Sequence, residues 1–425
     1  MSAVNRSIGV WGAFLVVHVL LGWICLGMPG TGIGQLALGL PLGDVTQVYR
    51  PWALQAFGGY GVPGLSESWV YPIAALFPML AALVAGPDNY GIAWLVLVTG
   101  LNAVALSLLI GRGNSRRRRA AAWWWIAFTA ALGPIAVARI DAITVPLAIV
   151  ALLLVAQHPR IGGTSLAIAT WIKVWPAAII GALLLASTRR WTILAAGIVT
   201  SAVLAGVVIG AGGGAHLLSF VTEQTDRGVQ IEAPVATPYL WLAAAGVESS
   251  FIYYSTEILT FQIAGPNVDT VAALMTPLLA VAVAATALIG IRAVRFKAPL
   301  VRFLPPLILA FVVTLQLFHK VGSPQFLTWL IAPIVLGVVW RGRGYTVPAG
   351  IALVLAALTH LVYPYLYFRL LAADPFLIAI LTVRNVGYIV LLCWALHAVL
   401  TAHRSRRPWP RGVTMAPGTS HHTRE

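Results

Sequence analysis

Residues able to do chemistry are scarce in this chain, since 9% of its 425 residues are Asp, Glu, Lys or Arg and 60% are hydrophobic. The first candidate is Asp44, in Gly43-Asp44-Val45-Thr46-Gln47-Val48-Tyr49-Arg50-Pro51-Trp52. Its carboxylate either caps a surface helix running to about Phe57, which Pro51 would kink or end early, or acts as a general base toward a hydroxyl. Trp69-Val70-Tyr71-Pro72 reads as interfacial aromatics with a proline at a helix start. Arg139-Ile140-Asp141 is either a weak surface pair or an arginine that orients a charged headgroup. Lys173 lies in Thr170-Trp171-Ile172-Lys173-Val174-Trp175-Pro176, where proline breaks a helix; its cation either snorkels to an interface or faces a cavity.

Three further groups follow. Asp226-Arg227-Gly228-Val229-Gln230-Ile231-Glu232 reads first as a solvated loop. In Phe318-His319-Lys320-Val321-Gly322-Ser323-Pro324-Gln325-Phe326, a histidine beside a lysine suits phosphate binding or placement of a proton donor. Arg384-Asn385 falls within an apolar run, where an arginine needs a partner or a cavity. The chain has no H-E-x-x-H, G-x-S-x-G or Walker A sequence, and the glycines of 59–64 neither follow a strand nor open a long helix. Cys25 and Cys393 sit in apolar runs and read as small hydrophobes, and His421 and His422 have no metal-ligand spacing. No metal or cofactor is expected.

The elements that position these residues are membrane helices. A soluble domain carries about 25% charged residues, so this composition excludes a soluble globular fold and a disordered one. Runs of ~20 apolar residues mark spans, and Lys/Arg-rich loops stay inside. Spans are predicted at 8–28, 90–111, 120–138, 142–157, 191–211, 270–291, 303–318, 326–340, 346–362 and 377–399. The stretch 164–186 is predicted as a hairpin of two short helices broken near Lys173 and Pro176. The 71–86 stretch is predicted to pack in or along the outer leaflet without crossing. The architecture is an all-α polytopic bundle of about 12 transmembrane helices with both ends cytoplasmic, in the plasma membrane. Residues 1–400 form one domain whose outer loops, 29–89 and 212–269, make the active face; Tyr239, Trp241, Tyr253 and Tyr254 are interfacial aromatics. Residues 401–425 are a basic tail.

The net charge of +15 comes from 27 basic and 12 acidic residues. On this topology the inner loops hold most of the basic residues and the outer face is net acidic. The excess is therefore an orientation signal and no nucleic-acid partner is expected. The cations left outside are Arg50, Arg139, Lys173, Arg227, Lys320, Arg369 and Arg384.

Six pieces in order resemble the membrane-embedded GT-C type glycosyltransferases that use polyprenyl-phosphate sugars, and among them family 87, which includes the phosphatidylinositol mannoside mannosyltransferase. They are Asp44 with Tyr49 and Trp52, then Tyr71-Pro72, Lys173 with Pro176, Arg227 to Glu232, His319 to Gln325, and Arg384-Asn385. The resemblance spans roughly 8–400. It implies an inverting transfer of a sugar, mannose before arabinofuranose, from a polyprenyl-phosphate donor to a glycolipid or lipid-anchored glycan at the outer face. Asp44 would be the base and His319 an active-site partner. Tyr49, Arg50, Trp52, Tyr71, Arg139, Lys173, Arg227, Gln230, Glu232, Lys320, Gln325, Arg384 and Asn385 would bind substrate. A transporter of polyprenyl-linked sugars would share the spans and cations, but would place its site near the midplane and show internal repeats. No matching halves occur. A non-catalytic partner in an envelope complex is the other alternative.

Overall fold

The computed structural model describes residues 3–28, 41–225, 227–256 and 258–404. Asp226, residues 29–40 of the first predicted outer segment, and tail residues 405–425, with His421 and His422, lie outside them.

Helix α1 (Ala3–Cys25) opens the chain. A π-helical turn, Asp44–Tyr49, leads directly into α2 (Arg50–Phe57). Pro51 does not end this helix, as the sequence suggested: it sits in the first turn of α2, where an amide hydrogen is not required. Helix α3 (Leu76–Ala81) and its flanking 3₁₀ turns cover 73–85. At 1.5 Å per residue that is about 20 Å, short of the ~30 Å hydrocarbon core, which fits packing without crossing.

Helices α4 (Tyr90–Ile110), α5 (Arg116–Leu132) and α6 (Asp141–Leu154) follow. The predicted 120–138 span is shifted. Ser115 caps α5 by accepting from the Arg118 amide, so the arginine run forms its first turn, and Gly133 ends it at φ +72°. Helices α7 (Pro159–Ile172) and α8 (Ala177–Ala186) are the predicted hairpin, broken at 173–176. Gly163, near the start of α7, lies against Ile193 at the start of α9 (Arg190–Gly210), which follows the end of α8; the two arms therefore fold back on one another. A Cβ on Gly163 would sit 2.7 Å from the Ile193 carbonyl oxygen, so the close α7–α9 approach requires glycine.

The 212–269 segment is more structured than a loop. It holds α10 (Ser219–Thr225), α11 (Thr237–Ala244) and an antiparallel hairpin of β1 (Phe251–Ser255) and β2 (Thr260–Ala264). The chain ends with α12 (Val268–Arg295), α13 (Leu300–Phe318), α14 (Ile331–Arg341), α15 (Thr346–Val362), α16 (Tyr367–Leu371) and α17 (Pro375–Leu400).

Among the described residues, seven segments are long and apolar enough to cross a membrane by length and composition. One of them, Pro324–Val362, is itself α14 and α15 joined by a turn at Gly342–Tyr345. The other predicted spans are shorter helices in the interior. Helices α5 to α8 run for 17, 14, 14 and 10 residues, with Gly133 and the buried Arg139 and Asp141 between α5 and α6, and the half-buried Lys173 and the buried Pro176 between α7 and α8. Helices α9 and α12 are the most exposed, with 11% and 17% of their apolar windows buried, whereas α13 is 72% buried. The protein is thus an all-α polytopic membrane protein with long peripheral helices around short interior ones. Where the interior helices stop, irregular backbone is enclosed by protein, the setting in which it is tolerated at depth.

Arginines gather at the opposite end of the bundle. Arg117 donates to the Trp340 carbonyl (3.0 Å) and Arg341 to that of Arg302 (3.5 Å).

Candidate active site

The ends of α7, α8 and α13 and the turns beside them surround a cavity of about 380 Å³, within the range of small-molecule pockets. Asp44, Val48, Tyr49 and Trp52 come from the π-turn and α2, and Val70, Tyr71 and Pro72 from the irregular segment before α3. Lys173, Val174 and Trp175 come from the helix break, and Phe220 and Arg227 from α10 and the segment after it. Ile258, Leu259 and Thr260 form the tip of the β-hairpin. Leu279, Leu315, His319, Val321, Ser323, Gln325, Phe326 and Trp329 complete the wall. A second space of about 270 Å³ shares Val174, Phe220, Leu279 and His319 with the first and adds Val221, Met275, Thr276, Phe318 and Lys320. The cavity thus continues as an apolar gap beside the exposed helix α12.

Asp44 is the first residue of the π-turn, and the cap position falls on Gly43. Its Oδ2 lies 3.0 Å from Arg139 Nε, with side-chain exposures of 39% and 4%. The surface pairing of Arg139 with Asp141 is therefore overturned: Arg139 turns inward and takes a partner 95 positions earlier. Its Nη1 donates to the carbonyls of Pro41 and Ala138 and its Nη2 to the Tyr363 hydroxyl, each at 2.7 Å. Four fixed acceptors around the guanidinium hold the charge in place. Tyr49 is fully buried, accepts the Ile140 amide at 3.3 Å, and packs with Trp52, Tyr71 and Trp94 at 5.3–6.4 Å between ring centroids. Trp69 stands behind Trp52 and Tyr71.

Lys173 Nζ lies 4.7 Å above the Tyr71 ring and 5.6 Å from that of Phe326, so the cation faces the cavity over aromatic surfaces. Beneath it, Asp141 is fully buried and accepts from Trp329 Nε1 at 2.6 Å. Its other oxygen has no hydrogen-bond partner, and Lys173 acts on it electrostatically. Trp329 stacks on Trp175 (5.8 Å, 9° between planes), and Trp175 donates to Thr144 at 2.9 Å. His319 Nδ1 lies against the Val321 backbone, 2.9 Å from its amide nitrogen and 3.2 Å from its carbonyl oxygen. Burial, and then the nearby charges of Lys173, Lys320 and Arg227, push the imidazole down to about 4, against a hydrogen bond to the Val321 backbone that raises it. The ring is therefore neutral near pH 7. Arg227 Nε donates to the Glu223 carbonyl at 3.2 Å while its side chain reaches the cavity wall. Lys320 is buried and lines the gap.

Other sequence candidates stand behind the wall. The 229–232 stretch is buried, not solvated, because it is pinned on both sides. Ile231 and Val229 pair with β2, and the Gln230 amide donates to the Lys320 carbonyl at 3.0 Å. Gln230 Oε1 accepts from the Gly322 amide and the Ser323 hydroxyl at 3.2 and 3.3 Å. Glu232 accepts from the Tyr367 hydroxyl at 2.6 Å; burial raises its carboxyl above the usual range, opposed by that bond and by Arg384. Arg384 donates to the Glu232 carbonyl and to Asn385, and Asn385 donates to Thr237 at 2.7 Å. These residues shape the 319–325 turn from behind and do not line the cavity. Arg50 is likewise off the wall, and Arg369 pairs with Asp374. The sequence reading missed Trp175, Trp329, Tyr363 and the hairpin tip. The alternating Phe251-Ile252-Tyr253-Tyr254 and Thr260-Phe261-Gln262-Ile263 runs were the available strand signal.

Among the described residues, no three His, Cys, Asp or Glu side chains group to hold a metal ion. Residues 69–245 match the family model of glycosyltransferase family 87. No curated protein and no solved structure matches the chain. The match bears out the family resemblance and indicates a glycosyltransferase. It takes in Tyr71, Arg139, Lys173, Arg227, Gln230 and Glu232, and leaves Asp44 and the 319–325 turn outside.

Proposed function

We propose that this cavity transfers a sugar, with inversion, from a polyprenyl-phosphate donor to a hydroxyl of a glycolipid or lipid-anchored glycan. The observation that carries the reading is that one carboxylate, Asp44, and the basic groups Lys173, Arg227 and His319 line a single apolar-walled cavity. A lipid phosphate has the matching form, an anion joined to a hydrocarbon chain. The chain would lie in the gap past Leu279 and Met275, with the phosphate among the basic groups.

Asp44 takes the proton of the acceptor hydroxyl as that oxygen bonds to the anomeric carbon. The bond from that carbon to the phosphate oxygen breaks, and the lipid phosphate leaves with the electron pair. Charge grows on the phosphate as the bond breaks, so fixed cations there favour the transition state over the bound donor. His319 adds a neutral N–H donor. Arg139 holds the carboxylate in position, and the Tyr49, Trp52 and Tyr71 rings offer faces for a sugar. We assign the sugar as mannose and the side as the outer face of the plasma membrane. The first rests on the family resemblance and the second on the arginine-rich opposite end.

The experiment is sugar transfer by purified protein, given polyprenyl-phosphate mannose or the arabinofuranosyl donor and a glycolipid acceptor. A glycosylated acceptor with inverted configuration is expected. Movement of donor across vesicles without transfer would point to a transporter and refute the reading.

A further inference from the structure

A small void lies behind the 319–325 turn, on the far side of the wall from the cavity. It measures about 10 Å³, and Glu232, Pro324, Thr359, Tyr363 and Tyr367 are among the residues that line it. Two of them carry buried polar atoms with no protein partner, Glu232 Oε2 and Thr359 Oγ1. Tyr367 has already given its hydroxyl hydrogen to the other carboxylate oxygen of Glu232. The Tyr363 oxygen accepts from Arg139 Nη2, which leaves its own hydrogen to donate. A polar void of roughly one probe sphere with two to four polar partners is what a single buried water requires.

We propose that the void binds one water that donates to Glu232 Oε2 and accepts from the Thr359 and Tyr363 hydroxyls, making Glu232 a positioning residue for the Arg139–Asp44 pair. The geometry runs in one line. Glu232 holds the water, the water fixes the Tyr363 hydroxyl, and Tyr363 receives the guanidinium whose Nε meets Asp44. The Arg139 guanidinium also lies 5.8 Å over the Tyr363 ring, so a turn of that ring moves the charge. The water further ties the 229–232 segment to α15, which carries Thr359. The positioning role rests on Asp44 being the base; the water site does not.

The test uses the full chain in lipid nanodiscs and compares wild type, Thr359→Val and Thr359→Ser by high-resolution cryo-EM and by transfer kinetics. Density for one water between Glu232, Thr359 and Tyr363 is expected in wild type and Thr359→Ser and is expected to be lost in Thr359→Val. Thr359→Val should lower kcat roughly 3- to 10-fold, the effect of one lost hydrogen bond, with KM for both substrates unchanged, and Thr359→Ser should restore it. Direct contact between the Glu232 carboxyl and Thr359 with no density between them overturns the water site. Loss of the water with kcat unchanged overturns the positioning role. Turnover retained in Asp44→Asn would instead defeat the base assignment and leave the density result standing.

Discussion

Lys173→Met keeps the length and apolar stem of the side chain and removes its charge. In the structure that charge lies over Tyr71 and Phe326 and acts on both Asp141 and His319. A cation ~4 Å from a phosphate is worth about 4 kcal/mol at an effective dielectric of 20. Part of that is already felt by the bound donor, so only the charge gained on bond breaking speeds the reaction. Loss of one such group is expected to lower kcat by about 10²–10³, or 2.7–4 kcal/mol.

The same variant carries a pH signature. His319 is held at about 4 by burial first and by Lys173 next. Removing Lys173 makes its protonation easier, so the imidazole gains charge at a higher pH than in wild type. The new imidazolium then replaces part of the lost cation. The ratio of variant to wild-type kcat should therefore rise as pH falls from about 7 to about 5, since titration of the base affects both proteins alike. Single-turnover transfer of labelled donor across that range is the assay. A flat or falling ratio, or kcat unchanged at neutral pH, would refute the phosphate-binding role.

Three other outcomes follow from packing. A Cβ on Gly322 would lie 2.3 Å from the Ala233 backbone nitrogen and Cα; Gly322→Ala should displace the 319–325 turn and cost about 1–3 kcal/mol of stability, read as a lowered Tm in detergent together with lost transfer. Trp329→Phe leaves the fully buried Asp141 carboxylate without its hydrogen bond and should cost about 1–3 kcal/mol; an unchanged Tm would contradict the buried contact. Leu279 faces both the cavity and the gap, so Leu279→Trp should raise KM for a long-chain donor about tenfold, 1.4 kcal/mol, and leave a short-chain analogue nearly unaffected.

The membrane class, the broken helix at Lys173 and the polar turn at His319 were legible because hydropathy, proline and isolated charge are local signals. The partner of Arg139 was not. Asp44 and Arg139 are far apart in sequence, and Asp141, two positions away, offered a nearer carboxylate. Asp141 instead starts α6 and receives Trp329. Gln230, Glu232, Arg384 and Asn385 were legible as unusual but not as supports, since hydropathy cannot separate a side chain on the wall from one behind it. The shortness of the interior helices was not legible for a similar reason: helices shielded by protein stop short without losing their apolar composition.

The central claim is that Asp44 is the base in a sugar transfer from lipid phosphate. Its most direct test is turnover and donor binding by purified Asp44→Asn, whose amide oxygen can still accept from Arg139. Turnover is expected to fall by about 10²–10⁴ while the protein stays folded and binds the donor lipid as wild type does. Turnover retained at close to the wild-type rate in a clean preparation would contradict the account.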